Sequence, residues 1–142
     1  MFSAYLGVLV FFSVNILFLY AEKDAFKKTI ALIESEIGQI RSVIVEPAEP
    51  SRMNGITLIG VHGMSPTLKY EWIRVAENLS AAHGFKVVLP DFHSNVATKP
   101  GSMKPDTFQN VINTAIIDGF LSGSKKVVLM GKSWGGRMSA MY

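Results

Sequence analysis

The sequence predicts an α/β fold with a mostly parallel sheet, and two patterns support this prediction. Between residues 56 and 130, three short apolar runs typical of buried strands alternate with two amphipathic segments of helical periodicity. The third run leads directly into a glycine-serine-glycine turn and the start of a further helix. Strands and helices that alternate in this way are typical of parallel sheets with right-handed crossovers.

The first segment of the chain, residues 1–21, predicts a single transmembrane helix. It contains no charged side chain before Glu22, and a helix of its length rises about 31 Å, enough to cross the hydrocarbon core of a bilayer. A cleaved signal peptide is the alternative, but no Lys or Arg precedes the apolar run and Leu19 is too large for the −3 position. The lysines within residues 22–28 favour a single-pass membrane protein with a cytosolic soluble domain.

The second segment, residues 22–55, predicts a juxtamembrane helix followed by a linker with an edge strand. Apolar side chains spaced alternately four and three apart indicate one apolar helix face within residues 22–41: Phe26, Ile30, Ile33, Ile37 and Ile40. A coiled coil is one interpretation. A helix packed on its own domain is favoured because the apolar seam covers only about two heptads. Residues 42–46 are rich in β-branched side chains and predict the edge strand, before a loop marked by Pro47, Pro50 and Gly55.

The third segment, residues 56–142, carries the regular α/β pattern. We expect strands at residues 56–61, 85–89 and 125–130, and helices at residues 69–83, 106–120 and from Gly135 onward. Residues 95–105 are rich in Gly, Pro, Ser and Lys and predict a loop.

The chemistry of the sequence is concentrated where the third strand of this segment ends, at Gly131-Lys132-Ser133-Trp134-Gly135-Gly136. A G-x-S-x-G motif between a strand and a helix lifts the serine Oγ above the sheet edge on a strained turn. The residues two before and two after the serine crowd each other, so Gly131 and Gly135 supply the small residues required. Gly136 would let the following helix approach the sheet closely. The motif predicts Ser133 as a catalytic nucleophile.

A second motif follows the first strand of this segment, Val61-His62-Gly63-Met64. With this pair of motifs at their usual spacing, residues 56–142 resemble the α/β-hydrolase superfamily. The resemblance implies a carboxylesterase-like or lipase-like serine hydrolase that cleaves an ester, thioester or amide through an acyl-serine intermediate. It also implies an oxyanion hole formed by the backbone N–H groups of Met64 and Trp134, and a structural rather than catalytic His62.

The acid and the histidine that this resemblance implies would follow the nucleophile in the chain. None of the nine residues after Ser133 is Asp, Glu or His. We therefore expect an N-terminal fragment that is inactive alone, with the nucleophile strand at the edge of the sheet. The alternative is a non-catalytic, membrane-tethered binding domain with the same fold. Asp91 and His93, after the second strand, are candidates for lining the pocket.

Two related branches fit this region less well. Dehalogenases of the fold mostly use Asp as nucleophile, and dienelactone-hydrolase-like members usually carry Cys at the position of Ser133.

The composition excludes several other classes of function. The chain has no Cys, which excludes disulfides and thiolate metal sites, and its net charge is +3. No basic stripe interleaved with aromatic residues indicates nucleic-acid binding. We expect no cofactor and no metal, a small-molecule or lipid ester as substrate, and a membrane as partner.

Overall fold

The computed structural model describes residues 7–9, 24–35, 38–63, 70–92 and 105–142. The strands, in chain order, are β1 (Gly7–Leu9), β2 (Phe26–Ser35), β3 (Gly38–Pro47), β4 (Ile56–Val61), β5 (Lys86–Pro90) and β6 (Lys126–Gly131). The helices are α1 (Tyr70–His83), α2 (Pro105–Leu121) and α3 (Trp134–Ser139), and a short 3₁₀ turn, Pro50–Arg52, precedes β4. The strands and helices predicted for residues 56–142 are confirmed, with boundaries shifted by at most one residue.

The six strands form one mixed sheet in the order β1-β6-β4-β5-β3-β2. β4 pairs in parallel with β5 and β6, and β6 pairs in parallel with β1, whereas β3 is antiparallel to both β2 and β5. The expectation of a mostly parallel sheet therefore holds for the part built from β1, β4, β5 and β6. The N-terminal hairpin adds the antiparallel part.

Both faces of the sheet are covered, because side chains alternate along each strand. On one face, Ile59 and Val61 of β4 pack with Ile112 of α2 and Met138 of α3. On the other face, Leu58 of β4 packs against α1 through Ala76. This two-sided burial explains why β4, β5 and β6 are almost continuously apolar in sequence.

The helix predicted for residues 22–41 is wrong, since residues 26–35 and 38–41 lie in the paired strands β2 and β3. Gly38, the first residue of β3, has a φ of +105°, which disfavours side-chain-bearing residues. The apparent helical stripe is divided between the two faces of the sheet: Ile33 is paired with Ile40 in the core beneath α2, whereas Phe26 packs on the α1 side. Spacings of four and three thus came from two paired strands that are rich in β-branched residues.

Two predictions about strand positions are also wrong. Residues 42–46 lie inside β3, which is flanked by β2 and β5 and is not an edge strand. The nucleophile strand β6 is not an edge either, because β1 pairs along it from Val128 to Met130. An apolar run can add a strand wherever unpaired backbone groups are offered, and here residues 7–9 cover that side of β6.

Two findings bear on the transmembrane helix predicted for residues 1–21, and neither supports it. Residues 7–9, inside the predicted span, form a strand of the sheet, so a helix continuous through this span is contradicted at these positions. Among the residues that the structure describes, no helix is long and apolar enough to cross a bilayer. The rest of the predicted span, residues 1–6 and 10–21, lies outside the described residues.

Candidate active site

The two motifs meet because β4 and β6 are adjacent and in register. Val61, the last residue of β4, pairs with Gly131, the last residue of β6. The backbone N–H of Lys132 donates to the carbonyl of Val61 at 3.3 Å, so the contact continues past the ends of the strands. His62-Gly63 and Lys132-Ser133 therefore leave the sheet side by side at the carboxyl ends of the parallel strands, where ligands bind in such folds.

Ser133 has the strained backbone that the motif predicts. Its φ is +57° and its ψ is −127°, and among the described residues no other non-glycine has a positive φ. A side-chain-bearing residue rarely adopts this conformation, which costs on the order of 1–3 kcal/mol and persists only where the surroundings impose it. The residue is exposed. The turn therefore presents the Ser133 side chain to solvent.

The surroundings impose this turn through two glycines. A Cβ built on Gly131 would lie 2.5 Å from the carbonyl oxygen of Gly135. A Cβ on Gly135 would overlap the carbonyl oxygen of Val61 and lie 2.5 Å from that of His62. Backbone oxygens cannot rotate away, so only glycine fits at both positions. Gly136 is less constrained, because its Cβ would lie 3.3 Å from the Gly131 carbonyl oxygen.

Gly63 lies directly beside the serine. A Cβ at Gly63 would come within 3.3 Å of the Ser133 Cβ and 3.7 Å of its Oγ. The absence of a side chain keeps this approach to the hydroxyl open. The next residue, Met64, whose N–H is the predicted second oxyanion donor, lies outside the described residues. Trp134, which carries the first predicted donor, is the first residue of α3.

His62 is buried, with 1% of its surface exposed, and both ring nitrogens contact backbone groups. The N–H of Phe92 donates to Nε2 at 3.3 Å, and Nδ1 lies 2.8 Å from the carbonyl oxygen of Gly63. An Nε2 that accepts a hydrogen bond implies a neutral ring protonated at Nδ1, which then donates to Gly63. Asp91 Oδ1 lies 4.0 Å from Nε2. The ring thus links the end of β4 to the residues after β5.

An aromatic stack lies beneath the turn, and the sequence analysis missed it. The Phe92 ring stacks on Phe108 of α2 with centroids 4.0 Å apart, and Phe108 meets the Trp134 ring edge-on at 4.4 Å. The His62 and Phe92 rings are 5.0 Å apart. In the sequence, Phe92 is the one aromatic residue among the polar residues that follow β5. An isolated aromatic side chain at this position could have been identified as buried. Such pairs contribute about 0.5–1.5 kcal/mol beyond burial.

Three further polar residues bear on the site: His83, and the two predicted pocket residues Asp91 and His93. His83 is exposed at the end of α1, and its carbonyl accepts a hydrogen bond from Asn54, close to the start of β4 and far from Ser133. His93 lies outside the described residues, whereas Asp91 is half-buried next to His62. Within the described part of the chain, no group of three His, Asp or Glu side chains is arranged to hold a metal ion.

One titratable group near α3 is perturbed. Partial burial raises the pKa of Tyr142 above its ordinary value of 10.0. Its hydroxyl donates to the carbonyl of Gln109 on α2 at 3.0 Å. The contact connects the residues after α3 to α2, the helix that carries Phe108.

Comparison with known proteins identifies the fold through structure rather than sequence. No family model matches the chain, and no curated protein sequence matches it. Several solved structures do match the chain. A dienelactone hydrolase homologue from Klebsiella pneumoniae is 14% identical, with a TM-score of 0.65 over 83% of this chain and 54% of its own. A serine hydrolase without a lid from Xanthomonas campestris is 20% identical, with a TM-score of 0.63 over 80% and 54%.

A third match is an α/β serine hydrolase homologue from Coxiella burnetii, 18% identical, with a TM-score of 0.64 over 80% of this chain and 55% of its own. The chain thus spans about half the length of these proteins, and it has the corresponding part of the α/β-hydrolase fold. The expected superfamily resemblance is confirmed at the level of the fold.

Proposed function

We propose that Ser133 is the nucleophile of a serine hydrolase that cleaves an ester, thioester or amide. One observation carries this proposal: an exposed serine with φ +57° is held between a buried strand and a helix start, against Gly63. Strain of this kind persists where function requires a side chain in one place. The three solved structures that share the fold are named as hydrolases, two of them as serine hydrolases, which supports the same reaction class.

The proposed reaction uses backbone groups of this chain for charge stabilisation. A base removes the proton from Ser133 Oγ as this oxygen attacks the carbonyl carbon of the substrate. The negative charge that develops on the carbonyl oxygen is stabilised by the N–H of Trp134 and, by resemblance, of Met64. Each such donor contributes about 3–4 kcal/mol. Collapse of the intermediate breaks the bond to the alcohol, thiol or amine, which leaves with the proton that the base took from Ser133. Water, deprotonated by the same base, then attacks the acyl-serine, the acid is released, and the proton returns to Ser133 Oγ.

The base is proposed to come from outside this stretch of chain. Of the three histidines, His62 has both ring nitrogens engaged by backbone groups, and His83 is at the other end of the sheet. His93 lies outside the described residues and precedes Ser133 in the chain, whereas the histidine of this fold follows the nucleophile. A serine without a base is a poor nucleophile near neutral pH. We therefore expect the 142-residue chain alone to turn over esters slowly or not at all. The second candidate function is a non-catalytic binding domain. It predicts that Ser133 is unreactive even in the full-length protein.

A fluorophosphonate probe separates the two functions. We expect the full-length natural protein to be labelled, Ser133→Ala to abolish labelling, and Ser51→Ala to leave it unchanged. Ser51 is a suitable control because it is exposed on the 3₁₀ turn before β4, away from the site. Equal labelling of the Ser133→Ala variant would refute the nucleophile, and an unlabelled wild-type protein would favour the binding domain.

The substrate and the location of the protein form a separate part of the proposal. A small-molecule or lipid ester suits an exposed serine of this fold. The uncharged residues 1–21 support a membrane-attached protein, and Lys23, Lys27 and Lys28 support a hydrolase part on the cytosolic side. The pairing of β1 with β6 instead supports inclusion of residues 7–9 in the sheet. Carbonate extraction distinguishes these: retention in the membrane pellet supports the anchor, and release of the intact chain excludes it.

A further inference from the structure

The last strand of the sheet, β2, presents an open edge. In the order β1-β6-β4-β5-β3-β2 it pairs with β3 on one side, and no other described strand lies beside it. It runs from Phe26 to Ser35 with no residue skipped in the pairing and with no proline. Edge strands are usually short, bulged or interrupted by proline, because an open edge can pair with another chain. A long and regular edge therefore indicates a place where another strand can add.

The outward-facing backbone groups of β2 belong to its even-numbered residues. The carbonyl of Ala25, just before the strand, accepts from the N–H of Ala48 at 3.1 Å, so odd-numbered residues face β3. The carbonyl of Arg41, the partner of Leu32, instead accepts from the N–H of Asp91 at 2.8 Å, on the β5 side of β3. Backbone groups alternate in direction along a strand. The N–H and C=O groups that point away from the sheet thus include those of Lys28, Ile30, Leu32 and Glu34.

The side chains of the same four residues form a symmetric pattern on one face of β2. Ile30 and Leu32 lie at the middle of the strand and are 59% and 61% exposed. Lys28 precedes them and Glu34 follows them, and both charged residues are exposed. The order along this face is basic, apolar, apolar, acidic. A strand with this order becomes complementary to itself when its direction is reversed.

A two-fold axis between two copies produces this reversal in an antiparallel pair. With the axis at Ala31, Ile30 of one copy faces Leu32 of the other, and Lys28 faces Glu34. Both pairs join outward-facing residues, so their backbone groups can exchange hydrogen bonds. A shift of two residues in either direction breaks the match, because Lys28 then faces Leu32, or Glu34 faces Ile30. Parallel copies in register would place Lys28 beside Lys28, which is unfavourable.

The contacts that the two charged side chains make within the chain are compatible with these pairs. Lys28 Nζ donates to Glu77 Oε1 of α1 at 2.8 Å, and an ammonium group has three donors. Glu34 Oε1 accepts from Gln39 Nε2 at 2.6 Å, and a carboxylate can accept several further hydrogen bonds. Each charged group can therefore keep its contact within the chain while it pairs with the other copy.

We propose that β2 pairs antiparallel with β2 of a second copy of this chain, about a two-fold axis at Ala31, to form one sheet that continues through both copies. The self-complementary order of charged and apolar side chains identifies the partner as the same chain. β3, β5 and β4 separate β2 from β6, which leads into the Ser133 turn. The contact therefore leaves the Ser133 turn of each copy uncovered, and it does not depend on the chemistry of Ser133.

A cysteine on the axis tests the register directly. The two copies of residue 31 would form a pair without backbone hydrogen bonds, with their Cα atoms about 4.5 Å apart, within the range of disulfide geometry. These 142 residues contain no cysteine, so Ala31→Cys adds a unique thiol. With oxidised glutathione, we expect Ala31→Cys to form a covalent dimer and the wild type to form none.

Thr29→Cys is the matched control for this crosslink. Residue 29 lies on the same face of β2 as residue 31, but its two copies would be about 14 Å apart. Thr29 is also more exposed than Ala31, so random collision between molecules would favour its crosslinking. We expect Thr29→Cys to remain uncrosslinked. Crosslinking of Thr29→Cys equal to that of Ala31→Cys, or none in Ala31→Cys, would overturn the proposed pairing.

Charge exchange tests the pairs in solution. We expect sedimentation of the full-length protein to show a dimer for the wild type. Glu34→Lys should raise its dissociation constant roughly tenfold or more, because like charges then face each other twice across the axis. Lys28→Glu, combined with Glu77→Lys to keep the ion pair within the chain in reversed form, should do the same. An equimolar mixture of the two variants should associate like the wild type, since each lysine again faces a glutamate.

Asp118→Lys is the control for the change in charge. Asp118 lies on α2 next to Gly119, which packs against Val127 of β6 and Thr57 of β4, away from β2. We expect this variant to sediment like the wild type. A monomeric wild type, a dimer that Glu34→Lys leaves unchanged, or a mixture that associates no better than its components would overturn the proposal. Equal weakening by Asp118→Lys would overturn it as well.

Discussion

Replacing Gly135 by alanine tests whether the start of α3 lies as close to β4 as the Ser133 turn requires. The new Cβ would overlap the carbonyl oxygen of Val61, the last residue of β4, and lie 2.5 Å from that of His62, the residue after it. Overpacking of this kind costs about 1–3 kcal/mol. Because these oxygens cannot move aside, we take about 3 kcal/mol for the overlap and subtract about 1 kcal/mol for the higher helix propensity of alanine. The free energy of unfolding should fall by about 2 kcal/mol.

Gly136→Ala is the matched control for this measurement. It is the next residue of the same helix, but its Cβ would lie 3.3 Å from the Gly131 carbonyl oxygen, a tight yet tolerable contact. We expect its free energy of unfolding to stay within about 1 kcal/mol of the wild type, since the gain in helix propensity offsets the contact. Urea unfolding of the wild type and of the two variants measures the difference in the free energy of unfolding. Equal stability of the Gly135→Ala and Gly136→Ala variants would refute the close approach of α3 to β4.

Three further predictions follow from the contacts around the turn. His62→Phe keeps a ring but leaves the Gly63 carbonyl and the Phe92 N–H without their ring partners. The free energy of unfolding, measured in urea, should therefore fall by about 2 kcal/mol. An unchanged midpoint of urea unfolding would contradict the proposed role of the ring in linking β4 to the residues after β5. Phe108→Ala should lower it by about 3–5 kcal/mol because this ring is buried in the stack, and a loss below that of an exposed Phe120→Ala would contradict the stack. Burial raises the pKa of Tyr142, so its contribution to stability is complete below pH 10.0 and is lost as the pH rises through the raised folded value. Unfolding measured from pH 9 to 12 should show this step in the wild type and not in Tyr142→Phe.

The part of the fold around Ser133 was predictable because its signals are local. Buried parallel strands such as β4 are continuous apolar runs, and the glycines around Ser133 follow from the crowding of a single turn. The proximity of Gly63 to Ser133 was also predictable in outline, since both follow the ends of parallel strands. Neighbouring strands in register then bring them together.

The N-terminal part was not predictable from the same kind of reasoning. A spacing of four and three fits one helix face, but within β2 the odd step from Ile30 to Ile33 moves to the opposite face of the strand, and Ile33 then pairs with Ile40 of β3. The apolar run at residues 1–21 satisfies a membrane span by length alone, and the pairing of residues 7–9 with β6 depends on a partner more than one hundred residues away in sequence. The Phe92–Phe108 stack likewise joins a loop and a helix that no local pattern connects.

The most direct test of the account is the structure of the full-length protein after reaction with a phosphonate inhibitor. The account predicts phosphorus bonded to Ser133 Oγ, with a phosphoryl oxygen within hydrogen-bonding distance of the Trp134 N–H and next to Gly63. Phosphorus on another residue, or a phosphoryl oxygen directed away from the start of α3, would contradict it.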